Sequence, residues 1–248
     1  METPPQFPVA PKAFDGASRT VDAGACFDWL RQGWALFAAN PGVWIGCAVL
    51  TLVILFALSI VPLVGQLASQ LLLPVLGAGL LQLCRRQSEG ATPEIADLFI
   101  GFKENTGNLI MVGVIYAVAI FAIGVLVAVV VGGGIAGGVV KGSVMGFGLM
   151  FGGFLLGALL ILVLATPVFM AVWFAPALVF FNLMTPMDAM RASFYACLKN
   201  WLPFLVYGVI LIVLFFFSAL LLGLGFLVLI PVLSGALYAS YRDVFVAV

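Results

Sequence analysis

The sequence contains no histidine and few charged residues. Of its 248 residues ten are basic and ten acidic, so charged side chains make up 8% of the chain and the formal net charge is zero. An ordinary soluble domain carries about 25% charged residues. Without histidine the chain cannot build His-dependent catalytic triads, His-ligated haem sites, histidine proton relays or most zinc sites. The zero net charge leaves no strongly basic surface, and we expect no nucleic-acid partner.

Other common reactive motifs are missing as well. The four cysteines form no CxxC pair, so we expect them to be small buried or interfacial side chains in a reducing setting. No GxxxxGK[ST] motif occurs, and no GxGxxG motif falls between a strand and a helix, so nucleotide binding has no support. We therefore predict no catalytic residue, no cofactor and no metal site, and a protein that is not an enzyme.

Long apolar runs dominate the chain instead. Hydrophobic residues make up 65% of it, and the mean hydropathy is +1.28. Residues 43–84, 105–140, 142–187 and 200–241 contain no Asp, Glu, Lys or Arg. A membrane-spanning helix needs about 20 apolar residues, so the longer windows have room for two spans and a turn. The runs are continuous rather than alternating, which favours helices over a β-barrel. The sequence predicts an all-α integral membrane protein.

We place six spans, arranged as three hairpins. They cover residues 43–61, 67–84, 109–131, 145–173, 202–222 and 226–241. Turns within the pairs are predicted at Pro62 with Gly65, at residues 132–134, and at Gly223 with Gly225. One alternative stays open, because residues 142–187 could hold a second crossing broken by prolines. We favour a single long helix followed by a shallow segment over residues 174–184. No charged residue lies mid-span, which argues against an ion-coupled carrier.

The basic residues are distributed unevenly between the two sides of this arrangement. Nine of the ten fall on the side of both termini, and Lys141 falls on the other. Basic residues mark the cytoplasmic side. We therefore expect a multi-pass protein of the bacterial inner membrane with both termini cytoplasmic. A seventh span would move Arg191 and Lys199 across and weaken the bias. Residues 1–25 are proline-rich and lack the core of a cleavable signal peptide, so we expect a disordered cytoplasmic tail before one membrane domain over 26–248.

A short amphipathic segment precedes each pair of spans. These segments end near asparagines, namely Asn40, Asn105 and Asn200. Thr92-Pro93 and Thr185-Pro186 predict helix starts, with threonine as the N-cap and proline in the first turn. We infer three repeats, over approximately 26–86, 92–173 and 185–243. Each repeat is a helical hairpin preceded by an amphipathic helix in the cytoplasmic interface. A simple solvated loop is the alternative for these segments.

Polar and aromatic residues near the predicted cytoplasmic ends are candidate interaction sites. The tryptophans, which favour the membrane interface, are Trp29, Trp34, Trp44, Trp173 and Trp201. The arginines that could contact anionic headgroups, at about 1 kcal/mol each, are Arg85, Arg86 and Arg242. The three asparagines could cap or bridge the repeats. Asp188 and Arg191 could form an i,i+3 ion pair worth about 0.2–0.5 kcal/mol. Ordinary snorkelling or an orientation signal is the alternative for all of them.

Glycine recurs at four-residue spacing between residues 132 and 157. The candidates for helix packing are Gly134, Gly138, Gly142, Gly146, Gly148, Gly152, Gly153 and Gly157. Such spacing makes a flat surface on which two helix backbones approach closely. Packing within the monomer is the favoured interpretation, with homo-oligomerisation and a lined cavity as alternatives. The part before Lys141 could instead be a flexible loop, because glycine weakens helices.

Several motifs near the predicted interface are distinctive. They include Gly33-Trp34-x-Leu36-Phe37, Asn40-Pro41-Gly42-x-Trp44-Ile45, Trp173-Phe174-Ala175-Pro176 and Asn200-Trp201-x-Pro203-Phe204. Together they resemble an uncharacterised proteobacterial family of multi-span inner-membrane proteins, the YciC-like proteins. More remotely, the chain resembles the membrane domain of some glycerophosphodiester phosphodiesterases. The resemblance implies an inner-membrane protein without an assigned catalytic role, since the chain has no room for the acidic, metal-binding phosphodiesterase domain.

Two functions remain in competition. The favoured one is a non-enzymatic structural or accessory protein that acts through helix packing and a belt of interfacial segments on the cytoplasmic face. The alternative is passive handling or transport of lipid or a small apolar solute. The expected partners are membrane lipids, together with a second copy or another membrane protein. An intramembrane enzyme is a distant third, with Asp188 and Arg191 as its candidate residues.

Overall fold

The computed structural model describes residues 16–141, 144–220 and 223–246, and every regular element within these ranges is helical. In chain order the helices are α1 (Ala25–Ala39), α2 (Pro41–Ser59), α3 (Val64–Ser88), a 3-10 helix (Ile95–Phe102), α4 (Thr106–Lys141), α5 (Val144–Trp173), α6 (Ala175–Asn182), α7 (Pro186–Lys199), α8 (Trp201–Leu220) and α9 (Phe226–Phe245).

Six helical stretches within the described ranges are long and apolar enough to cross a membrane. They are α2, α3, α4, the combined stretch of α5 and α6, α8 and α9. The prediction of an all-α chain with six candidate spans is therefore confirmed. The loops between α2 and α3 and between α8 and α9 also fall where Pro62 with Gly65 and Gly223 with Gly225 predicted turns.

The turn predicted at residues 132–134 is wrong, because α4 continues as a helix to Lys141. Its glycines face α5 closely: a Cβ placed on Gly134 would lie 2.9 Å from the Cα of Gly153. Glycine is a poor helix former in water, but here its missing side chain lets two helix backbones pack together. The packing of α4 on α5 supports the helix through a stretch that composition alone assigns to a turn.

Within the described residues 144–187 the structure has one candidate crossing, not two. Helix α5 ends at Trp173, and α6 then runs for eight residues before Leu183 adopts a left-handed conformation with a φ of 55°. An eight-residue helix rises about 12 Å, which is far short of the roughly 30 Å hydrocarbon core. Helix α6 is thus a short, largely buried element and not a seventh span.

Short helices precede α2, α4 and α8. Helix α7 begins as predicted, since the Thr185 side chain accepts a hydrogen bond from the Asp188 N–H. The helix start predicted at Thr92-Pro93 is wrong. The 3-10 helix begins after Glu94, whose backbone N–H donates to the Asp97 carboxylate at 2.9 Å. This bond fixes the first turn two residues later than the Thr-Pro pattern predicts.

Helix α3 lies near the centre and contacts α2, α4, α6, α9 and the 3-10 helix, while α1 packs along α9. The closest approach of α1 and α9 is at glycines. A Cβ on Gly33 would lie 2.2 Å from the Val232 carbonyl oxygen, and one on Gly235 would lie 2.6 Å from the Gly33 Cα. The buried side chains of Cys26 and Trp29 on α1 pack in one cluster with Ala236 and Ala239 of α9.

Candidate functional site at the charged end of the bundle

Side-chain hydrogen bonds join the helices at one end of the bundle. The Trp44 indole N–H, in the first turn of α2, donates to the Gln87 side-chain oxygen at 3.0 Å. Gln87 in turn donates to the Leu36 carbonyl oxygen of α1 at 2.8 Å. The neighbouring Ser88 hydroxyl lies 3.2 Å from the Tyr238 hydroxyl of α9. The start of α2 and the ends of α1, α3 and α9 therefore meet at one level, which we call the charged end.

The remaining helices join the same level. Asn105, just before α4, donates its side-chain amide to the Val179 carbonyl oxygen of α6 at 2.7 Å. The Ser193 hydroxyl of α7 donates to the Met170 carbonyl oxygen of α5 at 2.6 Å and accepts from the Phe174 N–H at 2.9 Å. The end of α5, the middle of α7 and the start of α4 are thereby joined to α6 or to Phe174 directly before it.

Asn200, between α7 and α8, holds the segment that leads into α1. Its side chain is almost fully buried, at 1% exposure. Its oxygen accepts from the Val21 N–H at 2.8 Å, and its amide donates to the Arg19 carbonyl oxygen at 3.0 Å. Lys199 also donates to the Ser18 carbonyl oxygen at 2.6 Å. The predicted tail over 1–25 is therefore too long, because the part near residues 18–21 is bound to the bundle; residues 1–15 lie outside the described residues.

Asp243, near the end of α9, joins the same segment to α1. Its carboxylate accepts from the Trp29 indole N–H at 3.0 Å and forms an ion pair with Arg19. The Trp29 ring is buried against Phe204 and Tyr207 of α8. One carboxylate thus fixes the end of α9, the first turns of α1 and the chain before it. Sequence reasoning missed this role, since Asp243 belongs to no motif.

The three candidate headgroup arginines have different surroundings. Arg86 is paired with Asp97 at 2.6 Å and with Glu94 at 3.3 Å, and these bonds hold the 3-10 helix on α3. Arg85 and Arg242 instead line one cavity of about 430 Å³ between α3, α6 and α9. The structure therefore brings Arg85 and Arg242 together at one cavity. Arg86 instead forms ion pairs with Glu94 and Asp97.

The five tryptophans also divide into groups. Trp29 and Trp44 are buried and donate to side chains within the protein, so their indole rings face the protein interior and not the headgroup layer. Trp34 and Trp201 are exposed, at 55% and 59%. Trp173 packs edge-on against Phe204 and Tyr207. Its buried indole N–H finds no acceptor in the part of the chain that the structure describes.

The other polar candidates lie at the surface or serve the backbone. Asp188 and Arg191 lie 3.9 Å apart on the exposed face of α7, at the predicted i,i+3 spacing. Asn40 ends α1 through its backbone N–H, and its side chain makes no cap hydrogen bond. Asn105 and Asn200 bridge separate elements, whereas Asn40 does not.

The glycine candidates separate by the face on which they lie. Gly134 and Gly153 oppose each other in the α4–α5 contact, and a Cβ on Gly146 would lie 2.4 Å from the Gly138 carbonyl oxygen. A Cβ on Gly157 would meet the Val131 side chain at 2.6 Å. The two that face open space, with nothing within 4 Å of an added Cβ, are Gly148 and Gly152. Gly142 lies outside the described residues.

The cysteines outside the spans are held in their unreactive form. Burial raises the pKa of the Cys26 thiol. Burial also raises the pKa of the Cys197 thiol to about 12, against a smaller opposing effect of its interaction with the Ser193 side chain. The thiolate is the reactive form of cysteine, so neither side chain is suited to act as a nucleophile near neutral pH. Within the described ranges no three Cys, Asp or Glu side chains come together as a metal site.

A second, apolar cavity of about 530 Å³ lies between α5 and α8. Phe169 and Trp173 of α5 form one wall, and Phe204 and Tyr207 of α8 form the other. Gly208 also lines it, and a Cβ there would meet nothing within 4 Å. The sequence pattern gave no sign of this groove, since it depends on the distance between α5 and α8 in the folded bundle.

Comparison with known proteins places the chain in a family of membrane proteins. No family model matches the chain, and no solved structure matches it. It is similar to a protein of Burkholderia thailandensis described as a probable inner membrane protein. The two are 30% identical over 226 residues, which cover 88% of this chain and 82% of that protein. The similarity thus extends over nearly the whole described bundle, and the chain belongs to the same family as this Burkholderia protein.

Proposed function

We propose that the protein is a non-enzymatic structural or accessory protein of the bacterial inner membrane, with both termini and the charged end in the cytoplasm. The single observation that carries the proposal is the network of hydrogen bonds and ion pairs at the charged end. In it Asn200, Asp243 and Gln87 each connect two or more separate elements. Side chains used in this way build a fixed surface on the bundle.

The proposed orientation rests on charge and relatedness. Basic residues favour the cytoplasmic side of an inner membrane, and Arg19, Arg85, Arg86 and Arg242 all belong to the charged end. The relative in Burkholderia thailandensis is described as a probable inner membrane protein. The motif resemblance to YciC-like proteins points to the same membrane.

We also propose that the fold is a threefold repeat of an interfacial helix followed by a hairpin. An asparagine directly precedes α2, α4 and α8, and each of these spans follows a short helix. The three returning helices carry an internal proline, at Pro74, Pro167 and Pro231. Helix α1 exposes Phe27 and Trp34, whose spacing of seven residues places them on one side of the helix. Such a face suits either the headgroup layer or a partner.

Cross-linking in intact membranes tests this function. We expect wild-type protein to form a discrete cross-linked product with itself or with another membrane protein. The F27S/W34S variant should lose that product and keep its melting temperature. The control, F216S, changes an exposed side chain near the other end of α8. A monomer without cross-linked products, whose lipid content also matches that of the variants, would contradict the proposed role.

A second candidate function is the handling of lipid or a small apolar solute, and the groove between α5 and α8 favours it. Its walls are aromatic, and the open space at Gly208 leaves room for a hydrocarbon chain. Gly208→Phe should fill the groove and reduce the transfer of a fluorescent lipid between the leaflets of reconstituted vesicles. Gly124→Phe enters open space on α4 and serves as control. Transfer by the wild type equal to that in empty vesicles would exclude this function.

A further inference from the structure

The cavity shared by Arg85 and Arg242 has the features of an anion site. It has a volume of about 430 Å³ and lies where α3, α6 and α9 end. Its lining combines the two guanidinium groups with the hydroxyls of Ser88 and Tyr238 and the side chain of Asn182. We propose that it binds a phosphate group, and that the source of the phosphate is the headgroup of an anionic phospholipid.

Aromatic rings hold both arginines at the edge of the cavity. The guanidinium carbon of Arg85 lies 5.6 Å from the centre of the Phe181 ring, and that of Arg242 lies 6.0 Å from the centre of the Tyr238 ring. The two rings pack edge to face, with their centres 6.0 Å apart. A guanidinium placed over a ring can still direct the N–H donors at its rim toward an anion. The ring pair therefore sets the spacing of two positive charges.

The charge balance of the cavity favours an anion. Its one lining carboxylate among the described residues is Glu89, which accepts a bond from the Arg85 Nε at 2.9 Å. Arg242 has no carboxylate within ion-pair distance in the described ranges. Arg86, the third candidate, has two carboxylate partners and does not line the cavity. Arginine binds phosphate through paired N–H donors, and the side-chain amide of Asn182 lines the same cavity.

The position of the cavity favours a lipid as the source. Arg85 lies in the last turn of α3, and Arg242 lies in the last turn of α9. The ends of membrane-spanning helices lie at the level of the lipid headgroups, where basic side chains meet phosphates. This site deepens the proposed function by naming a ligand of the charged end. It rests on the proposed function in one respect, namely that the charged end lies at the level of the lipid headgroups.

Native mass spectrometry of the full chain in mild detergent tests the site. The protein is titrated with phosphatidylglycerol and, separately, with phosphatidylcholine, and bound lipid is counted. Each arginine should account for about a fivefold difference in affinity, since a basic side chain near anionic lipid contributes roughly 1 kcal/mol. We expect R85Q/R242Q to bind phosphatidylglycerol about 30-fold more weakly than wild type. The control K103Q/R191Q removes two exposed charges outside the cavity and should stay within about twofold.

The outcomes separate the possible sources of phosphate. If R85Q/R242Q does not fold, the R242Q variant replaces it. Its affinity for phosphatidylglycerol should fall about fivefold. We expect this variant to fold, because removing the Arg242 guanidinium leaves no carboxylate among the described residues without its ion-pair partner. A second titration uses inorganic phosphate. Binding of inorganic phosphate that depends on both arginines, without a preference for phosphatidylglycerol, would assign the site to a soluble phosphate. An equal loss in K103Q/R191Q, or no loss in either variant, would overturn the proposal. A negative cross-linking result would not change the measured lipid affinities. The proposed function and the proposed phosphate site can therefore fail separately.

Discussion

Gly33→Ala should detach α1 from α9, because the two helices touch through their backbones at this glycine. A Cβ at residue 33 would lie 2.2 Å from the Val232 carbonyl oxygen and 2.8 Å from the Ala236 nitrogen. Ordinary carbon–oxygen contacts are longer than 3 Å, and neither of these atoms belongs to a side chain that can rotate away. The helix must therefore shift by about 1 Å, which also disturbs the burial of Trp29 and Cys26.

The size of the effect follows from the cost of overpacking. Adding a methyl group to a tightly packed contact costs about 1–3 kcal/mol. Alanine also favours helices over glycine by roughly 1 kcal/mol, and a matched control cancels this gain. Gly42→Ala is that control, since a Cβ there meets nothing within 4 Å. We expect Gly33→Ala to be less stable than Gly42→Ala by about 2 kcal/mol, which raises the undocked population of α1 about 30-fold.

Labelling of Cys26 by a maleimide reports this opening. The thiol is fully buried in the described structure, and its raised pKa slows reaction further. Peptide mass spectrometry distinguishes it from the other cysteines. We expect Cys26 to react about 30-fold faster in Gly33→Ala than in Gly42→Ala at pH 7. Equal rates and equal melting temperatures in the two variants would refute the backbone contact between α1 and α9.

Three further predictions concern the charged end. Asp97→Ala should lower the free energy of unfolding by about 1–3 kcal/mol, since Arg86 loses the carboxylate at 2.6 Å. Asp188→Ala removes only an exposed ion pair and should cost below about 1 kcal/mol, so equal melting temperatures of the two variants would contradict this ranking. Asn200→Ala should release the segment before α1, so that limited proteolysis cuts near residue 20 faster than in the control Asn108→Ala. Identical cleavage patterns in the two variants would show that the Asn200 hydrogen bonds do not hold this segment. Because burial raises the pKa of Cys197 to about 12, its labelling in the folded protein should keep rising from pH 8 to pH 10; a plateau near pH 9 would indicate an ordinary, exposed thiol.

The number of spans was predictable from the sequence because charge is costly in hydrocarbon. The charge-free residues 43–84 and 200–241 have room for two spans each, and the structure has α2 with α3 and α8 with α9 there. The extent of α4 was not predictable in the same way. Residues 132–138 are rich in glycine, and it is the packing of α4 on α5, as between Gly134 and Gly153, that supports a helix there.

The candidate site was predictable in composition but not in arrangement. Charge placement selected Arg85, Arg86 and Arg242, yet the sequence gave no way to tell that Asp97 would pair with one of them. That distinction depends on where the 3-10 helix folds back onto α3. The roles of Gln87 and Asp243 also depend on contacts between helices far apart in sequence, which residue patterns along a single helix do not reveal.

We propose that the charged end forms one face of a six-span protein and lies in the cytoplasm. Labelling of single added cysteines with a membrane-impermeant maleimide tests it most directly. Glu104 and Leu183 are exposed at the charged end, and Leu224 is exposed in the loop at the other end. We predict that Leu224→Cys reacts in intact spheroplasts, while Glu104→Cys and Leu183→Cys react only after permeabilisation. The reverse pattern would contradict the orientation, and labelling of Glu104→Cys and Leu183→Cys from opposite sides would contradict the six-span arrangement.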